Sequence, residues 1–140
     1  MATTYRLRVV TPERTIYDRP VVMIVVRSTE GEIGILAHHM QIITPLLPHI
    51  MTIYLEDGKT EQMTIGGGFL EVQADETTVL ADSAETADMV DIARAERARQ
   101  RALERLNTGG GQTAVDLARA ERALKRAENR LKLAGRLMTH

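Results

Sequence analysis

The stretch Thr77–Gly111, TTVLADSAETADMVDIARAERARQRALERLNTGGG, holds the change of pattern that decides the fold. Up to Ala81 it is a short β-branched run of the kind that packs well on a pleated surface. Beyond Ala84 it turns to Ala, Arg, Glu and Leu, side chains that lose little rotamer freedom in a helix. This composition continues to the end of the chain in two segments of roughly 18 and 24 residues. Between them stands Asn107-Thr108-Gly109-Gly110-Gly111. Three consecutive glycines lose too much backbone entropy to continue a helix, so a turn is predicted there and the helices form a hairpin or a jointed arm.

Upstream of that change the chain reads as short strands rich in Val, Ile and Thr, with turn residues at intervals of roughly 8–12 positions. The candidates are Tyr5–Val10, a short piece around Ile16, Val21–Arg27, Glu32–Leu36, Ile50–Leu55, Thr60–Ile65, Phe69–Val72 and Thr77–Ala81. Asp57-Gly58 is a strong hairpin signal, because glycine supplies the positive φ that a tight turn needs. Gly66-Gly67-Gly68 reads as a bulge or a tight connection between strands. No 3.6-residue period occurs before Ala84, so a two-sheet sandwich or a barrel is the natural architecture.

Downstream, Leu117, Leu124, Leu131 and Met138 recur every seven residues, with Ala120, Ala127 and Ala134 three positions after the leucines. This is a narrow seam with alanine at the d positions, and Ala95, Ala98, Ala102 and Leu106 offer a matching stripe on the first helix. Alanine buries little surface, and each contributes well below the ~1.5–3 kcal/mol of a buried leucine. Such an arm is able to open.

Charge divides along the same line. The whole chain of 140 residues carries a formal net charge of only −1, with no bias toward nucleic acid or an anionic membrane. Residues 1–84 hold 6 Lys/Arg against 11 Asp/Glu, net −5, and residues 85–140 hold 12 against 8, net +4. Cysteine is absent, which excludes a disulfide framework, a thiol nucleophile and Cys-based metal sites. Met1–Val10 lacks the apolar core of about 7–15 residues of a signal peptide, and Val21–Val26 is far short of the roughly 20 residues of a membrane span. A soluble intracellular protein without membrane insertion is expected. Four aromatics (Tyr5, Tyr17, Tyr54, Phe69) are too few for the stacking platforms of single-strand nucleic-acid binders.

Catalytic and metal chemistry find no support. The histidines at 38, 39, 49 and 140 lack ligand spacing, so no metal site is expected. Ser28 and Ser83 lie in no nucleophile elbow, and the glycine runs match no phosphate-binding loop. The informative cluster is on the arm. Asp91, Arg94 and Arg101 share one helix face, and Arg126 and Arg130 form an i,i+4 pair on the second helix. If the hairpin closes, up to four guanidiniums and one carboxylate converge. Forked guanidiniums suit polyphosphate oxygens, and the carboxylate is able to accept from a ribose hydroxyl or an adenine amino group. The competing reading is a solvated face laced with weak ion pairs.

Five stretches in register extend this reading: Val10-Thr11-Pro12; Gly31-Glu32-Ile33-Gly34-Ile35-Leu36 with His39; Thr44-Pro45-Leu46; Gly66-Gly67-Gly68-Phe69-Leu70-Glu71-Val72; and Thr78-Val79-Leu80-Ala81-Asp82. In their order and spacing the chain resembles the ε subunit of the F-type, proton-translocating ATP synthase over essentially its whole length, with Ala37 where that family commonly has proline. The resemblance implies a β-sandwich over residues 1–84 that docks on the rotor, followed by an antiparallel two-helix regulatory hairpin over residues 85–140. It implies a non-catalytic subunit that couples proton flow to ATP synthesis, peripheral on the cytoplasmic face of the bacterial membrane. The implied partners are the γ subunit and the c-ring, and, when the arm extends, the catalytic α and β subunits, where the arm inhibits hydrolysis.

Residue by residue, the resemblance implies rotor contacts at Glu32 and His39. Arg122, Lys125 and Arg126 would face an acidic loop of β. Some bacterial members bind ATP in the folded arm through Ile or Leu, Asp, two variable residues, Arg and Ala. Here the matching stretch is Val90-Asp91-Ile92-Ala93-Arg94-Ala95, with valine in the first place. Glu85, Arg101, Arg126 and Arg130 occupy the remaining ligand positions, so ATP is an expected regulatory ligand and no cofactor is required. A free-standing ATP-sensing module without a catalytic role is the alternative. A small stand-alone enzyme fits neither half.

Overall fold

Eight strands precede two long helices in a computed structural model that describes residues 3–108 and 113–135. The strands are β1 (Tyr5–Val10), β2 (Thr15–Val21), β3 (Met23–Ser28), β4 (Gly31–Leu36), β5 (Ile42–Tyr54), β6 (Thr60–Val72), β7 (Glu76–Ala81) and β8 (Ala84–Glu85). A single 3-10 turn at Ala87–Met89 leads into α1 (Ile92–Thr108) and then α2 (Ala114–Leu133). The glycine turn at Gly109–Gly111 and the Met138 position of the seam lie outside the described residues.

The hydrogen-bonded path runs β2-β1-β7-β6-β5-β3-β4, with β8 added to β6. All pairs are antiparallel except β1 with β7. The path doubles over into two layers. Tyr5 Oη on β1 donates to the Ile35 carbonyl on β4 at 2.6 Å, and Tyr17 on β2 donates to Glu61 on β6 at 2.9 Å. Strands distant along the path thus meet face to face, which is a β-sandwich. Alternation along the strands fills the space between layers, with Leu7, Val9, Ile24, Val26, Ile35, Met51 and Ile53 buried, and along β6 the inward set changes from Met63 and Ile65 to Leu70 and Val72 across Gly66–Gly68.

Three strand boundaries differ from the sequence reading. Val21 ends β2 rather than opening β3. β5 begins at Ile42 rather than Ile50 and runs through Pro45 and Pro48. The prolines are tolerated because β5 leaves β3 there: Val25 pairs with Thr52 but Ser28 pairs with Leu46, so the ladder that Pro48 would have to serve is interrupted. Gly66–Gly68 is neither a bulge nor a connection. β6 runs through it in one register with β5, from Ile42↔Val72 to Tyr54↔Thr60.

The glycines instead admit neighbours. Along the opposite edge of β6, Gly66 N–H donates to Ser83 O at 2.8 Å and Asp82 N–H donates to Gly67 O at 2.9 Å, which joins β7 to β8. A Cβ on Gly66 would collide with Ser83 Oγ and lie 3.2 Å from Arg126 Cδ on α2. A Cβ on Gly68, where φ is +136°, would collide with the Leu80 carbonyl oxygen.

The helices pair as the alanine stripes require. Ala95 and Ala102 of α1 are buried with Ala120 and Ala127 of α2, and α2 lies on β5 and β6. The five residues between helices reach roughly 20 Å, less than the roughly 25 Å length of α1, so the two run antiparallel. Thr113 and Asp116 close α2 with a reciprocal capping box.

Gly68→Ala combines a forbidden φ with a backbone collision and is expected to lower stability by about 3 kcal/mol, seen as a lower urea midpoint at unchanged slope. Gly58→Ala, at φ +84° with no atom within 4 Å, serves as the control. It should cost only about 1–2 kcal/mol.

Candidate functional site

The arginine cluster forms where α1, α2 and the strand-connecting backbone meet. β8 brings Glu85 beside Thr64 of β6, whose hydroxyl donates to the Glu85 carbonyl at 3.3 Å. The Glu85 carboxylate accepts a charge-assisted hydrogen bond from Arg130 Nε on α2, and both side chains are about three-quarters buried. The β1–β2 turn supplies the opposite wall. There Thr11 N–H and Thr11 Oγ1 both donate to the Arg14 carbonyl, at 2.9 and 3.1 Å.

Asp91 opens α1. Its Oδ1 accepts from the Arg94 N–H at 3.0 Å, which is an N-cap bond, while the Asp91 carbonyl accepts from Ala95 N–H at 2.9 Å. The Asp-x-x-Arg spacing therefore has a structural role that the ligand reading passed over, since it starts the helix. Oδ2 remains for another donor.

These elements enclose an open cavity of 520 Å³, and Glu85, Asp91, Arg94, Ala95, Arg101 and Arg130 all line it. Two of the eight sequence-derived positions lie elsewhere. Val90 belongs to the turn before α1, its N–H donating to Ala87 O at 3.3 Å. Arg126 occupies a neighbouring crevice with Gly66, Ser83 and Arg130. Burial, followed by the like charges of Arg130 and Arg122, pulls the Arg126 pKa below its ordinary value, against the attraction of Asp82. Excess positive charge around Arg126 and Arg130 favours an anion there.

The other expected contacts are spread over the surface. Glu32 is exposed on β4 opposite Arg27 of β3. His39 lies in the turn after β4, with Nδ1 2.7 Å from the Met40 carbonyl. Arg122 and Lys125 are exposed on α2, whereas Arg126 is turned toward the sheet. Among the described residues, no group of three or more His, Cys, Asp or Glu side chains is placed to hold a metal ion.

One surface feature was missed from sequence. Ile43, Phe69 and Leu80 are 74, 51 and 45% exposed. Phe69 pairs with both Pro45 and Leu80, and Ile43 stands two residues from Pro45, so the three share one outer face of the sandwich. The signal was available in the alternation: Leu70, Val72 and Val79 point inward, which turns their apolar neighbours outward.

Comparison with known proteins covers both halves. The family model described as ATP synthase, Delta/Epsilon chain, beta-sandwich domain matches residues 4–87, and that described as ATP synthase, Delta/Epsilon chain, long alpha-helix domain matches residues 88–135. The chain is 45% identical over 112 residues to the ATP synthase epsilon chain of Alkaliphilus oremlandii, covering 80% of this chain and 83% of that one. It is 46% identical over 113 residues to the epsilon chain of Bacillus subtilis, covering 80% and 84%. It is also similar to a chain in the Euglena gracilis mitochondrial ATP synthase (OSCP, F1 and c-ring), with a TM-score of 0.75, 26% identity, and 96% and 82% of the two chains covered. A chain in the Tetrahymena thermophila mitochondrial ATP synthase central stalk and c-ring shares the fold, with a TM-score of 0.63 and 14% identity over 95% and 98% of the chains.

Glu85→Ala leaves the Arg130 guanidinium without its carboxylate. We expect α2 amides to exchange hydrogen roughly tenfold faster, while the β1–β7 amides keep their rates. Equal acceleration throughout would mean that Glu85 supports the sandwich rather than the arm.

Proposed function

The chain belongs to the delta/epsilon chain family of ATP synthases, and from that premise we propose that it is a non-catalytic rotor-stalk subunit whose helical arm is a nucleotide-controlled brake on ATP hydrolysis. The sandwich is the docking half. Its exposed Ile43, Phe69 and Leu80 face, together with Glu32 and His39, is offered to the γ subunit and the polar loops of the c-ring. No helix among the described residues is long and apolar enough to cross a membrane, so membrane association runs through those partners.

The observation that carries the arm's role is the cavity shared by Glu85, Asp91, Arg94, Arg101 and Arg130, with Arg126 adjoining. In this reading the guanidiniums of Arg94, Arg101, Arg126 and Arg130 take the phosphate oxygens of ATP. Asp91 Oδ2 and Glu85 accept from the ribose hydroxyls or the adenine amino group. The site is assembled from β8, α1 and α2, so it exists only while the arm is folded. ATP at one hundred times its Kd then adds about 2.7 kcal/mol to the folded arm. That is comparable to what a seam of alanines is able to hold, so loss of ATP releases the helices to extend along γ. There Arg122, Lys125 and Arg126 face acidic groups of the β subunit. Arg126 is the switch residue in this scheme, since it serves the nucleotide in one state and β in the other.

Titrating the isolated chain with ATP should move amide resonances around Asp91, Arg94 and Arg101 saturably at millimolar ATP, and Arg126→Ala should weaken the response at least tenfold. Silence at millimolar ATP, or a response indifferent to Arg126, would dispose of the nucleotide arm. In the reconstituted complex, a chain ended after Thr86, which keeps β8, should still bind γ and should release inhibition of ATP hydrolysis. A truncated chain that fails to bind γ would refute the division of labour.

A further inference from the structure

β2 carries one residue more than β1 is able to pair. Val9 pairs with Tyr17 and Val10 with Thr15, so Ile16 stands between them without a partner, the extra residue of a β-bulge. A bulge re-aims the side chain it carries. Ile16 is half-buried: it packs against the core of the sandwich and also lines the 520 Å³ cavity shared by Asp91 and the arginines.

Met89 reaches the same cavity from the lead-in to the arm. It ends the 3-10 turn before α1, where its N–H donates to the Thr86 carbonyl at 3.0 Å, and it is 37% exposed. Among the described residues it is the one large apolar side chain, of those left exposed, that lines this cavity. Val90, which opens the motif in the sequence, does not line it.

From Met89 into α1 the lining changes in a definite order. Met89 is apolar, Asp91 follows with Oδ2 still available, and then come Arg94 and Arg101, roughly 10 Å apart at the helical rise of about 1.5 Å per residue. Neither arginine has a salt-bridge partner among the described residues, whereas Arg130 is engaged by Glu85. Apolar surface, acceptor and cations succeed one another as base, ribose and phosphates do in a nucleoside polyphosphate. Asp91 opposes the reverse orientation. Its carboxylate already caps the N-terminus of α1 through the Arg94 N–H, so a phosphate brought there would meet a like charge.

We propose that Ile16 and Met89 hold the adenine ring of the nucleotide, and that Met89 is the residue that sets the affinity for the base. The inference rests on the nucleotide reading of this cavity and adds to it a wall from the β1–β2 hairpin. The Met89 thioether packs on the ring, a contact that sulfur makes favourably with aromatic systems. Ile16 belongs to the sandwich and Met89 leads into α1. The base therefore ties the start of the arm to the sandwich, while the phosphates join α1 to α2.

NMR of the full-length chain, isotope-labelled at the Met and Ile methyl groups, tests this. At saturating ATP the adenine ring protons should show NOEs to the methyls of Met89 and Ile16, while those of Met51 and Met63, buried in the sandwich, stay silent. Met89→Gln should weaken ATP binding roughly tenfold without changing hydrogen exchange of the α1 amides in the unliganded chain, and Met89→Leu should stay within about twofold of the unsubstituted chain. Bound ATP that touches neither methyl, or Met89→Gln that binds ATP normally, would overturn the base subsite and leave the nucleotide reading standing. A weakened Met89→Gln with faster α1 exchange would also overturn it, since Met89 would then act through the fold of the arm. A chain silent to ATP would remove both.

Discussion

The missing side chains at Gly66, Gly67 and Gly68 are the constraint on which the rest of the molecule depends. β6 is the strand that both layers share, and at its centre three surfaces converge on bare backbone. The β7–β8 segment approaches one edge closely enough that a Cβ at Gly68 would strike the Leu80 carbonyl. Ser83 closes on Gly66, and from α2 the Arg126 side chain reaches the same residue. Methyl groups here would push away the segment that carries Glu85 and crowd the Arg126 side chain that α2 lays against Gly66. The strand path, the seat of the arm and the arginine cluster are therefore consequences of one local property, the absence of Cβ atoms over three residues.

Around that centre the arm is held by several modest contacts and no dominant one. Its seam buries alanines, its closest polar tie is the Glu85–Arg130 pair, and Arg99 approaches Glu128 across the hairpin at 3.6 Å. The net charges of −5 and +4 on the two halves favour docking in a general way, but exposed charges are screened and contribute little individually. An element held this way responds to anything that binds at its junctions. The cavity described above lies at such a junction, between the β1–β2 turn, β8 and the helices.

Much of this was legible in the chain. Periods of two and of 3.6 residues separate the sandwich from the hairpin, and the alanine stripes at 95, 102, 120 and 127 identify the surfaces that meet, because periodicity is a local property of the backbone. The arginine grouping was also readable, since helical spacing fixes which side chains share a face. The reading of β5 stopped short of Pro45 and Pro48, for whether a strand runs through a proline depends on whether a neighbouring ladder needs its N–H. The glycines of β6 misled the reading of that strand: their purpose is to admit other segments, and those segments are distant in sequence. Asp91 was read only as a ligand, and its cap bond to Arg94 became visible only with the backbone in place.

By itself the sequence determined two regimes of secondary structure, their boundary near Ala84, the weak alanine seam and an arm rich in arginine. Each follows from residues within a few positions of one another. Tertiary structure alone decided that Arg126 turns toward Gly66 while its neighbours on α2 stay in solvent, that Glu85 pairs with Arg130 across 45 residues, and that Ile16 and Met89 meet the same cavity. Those outcomes rest on the register between β1 and β2 and on the approach of α2 to β6. Both are set by the shapes of surfaces that only folding brings together.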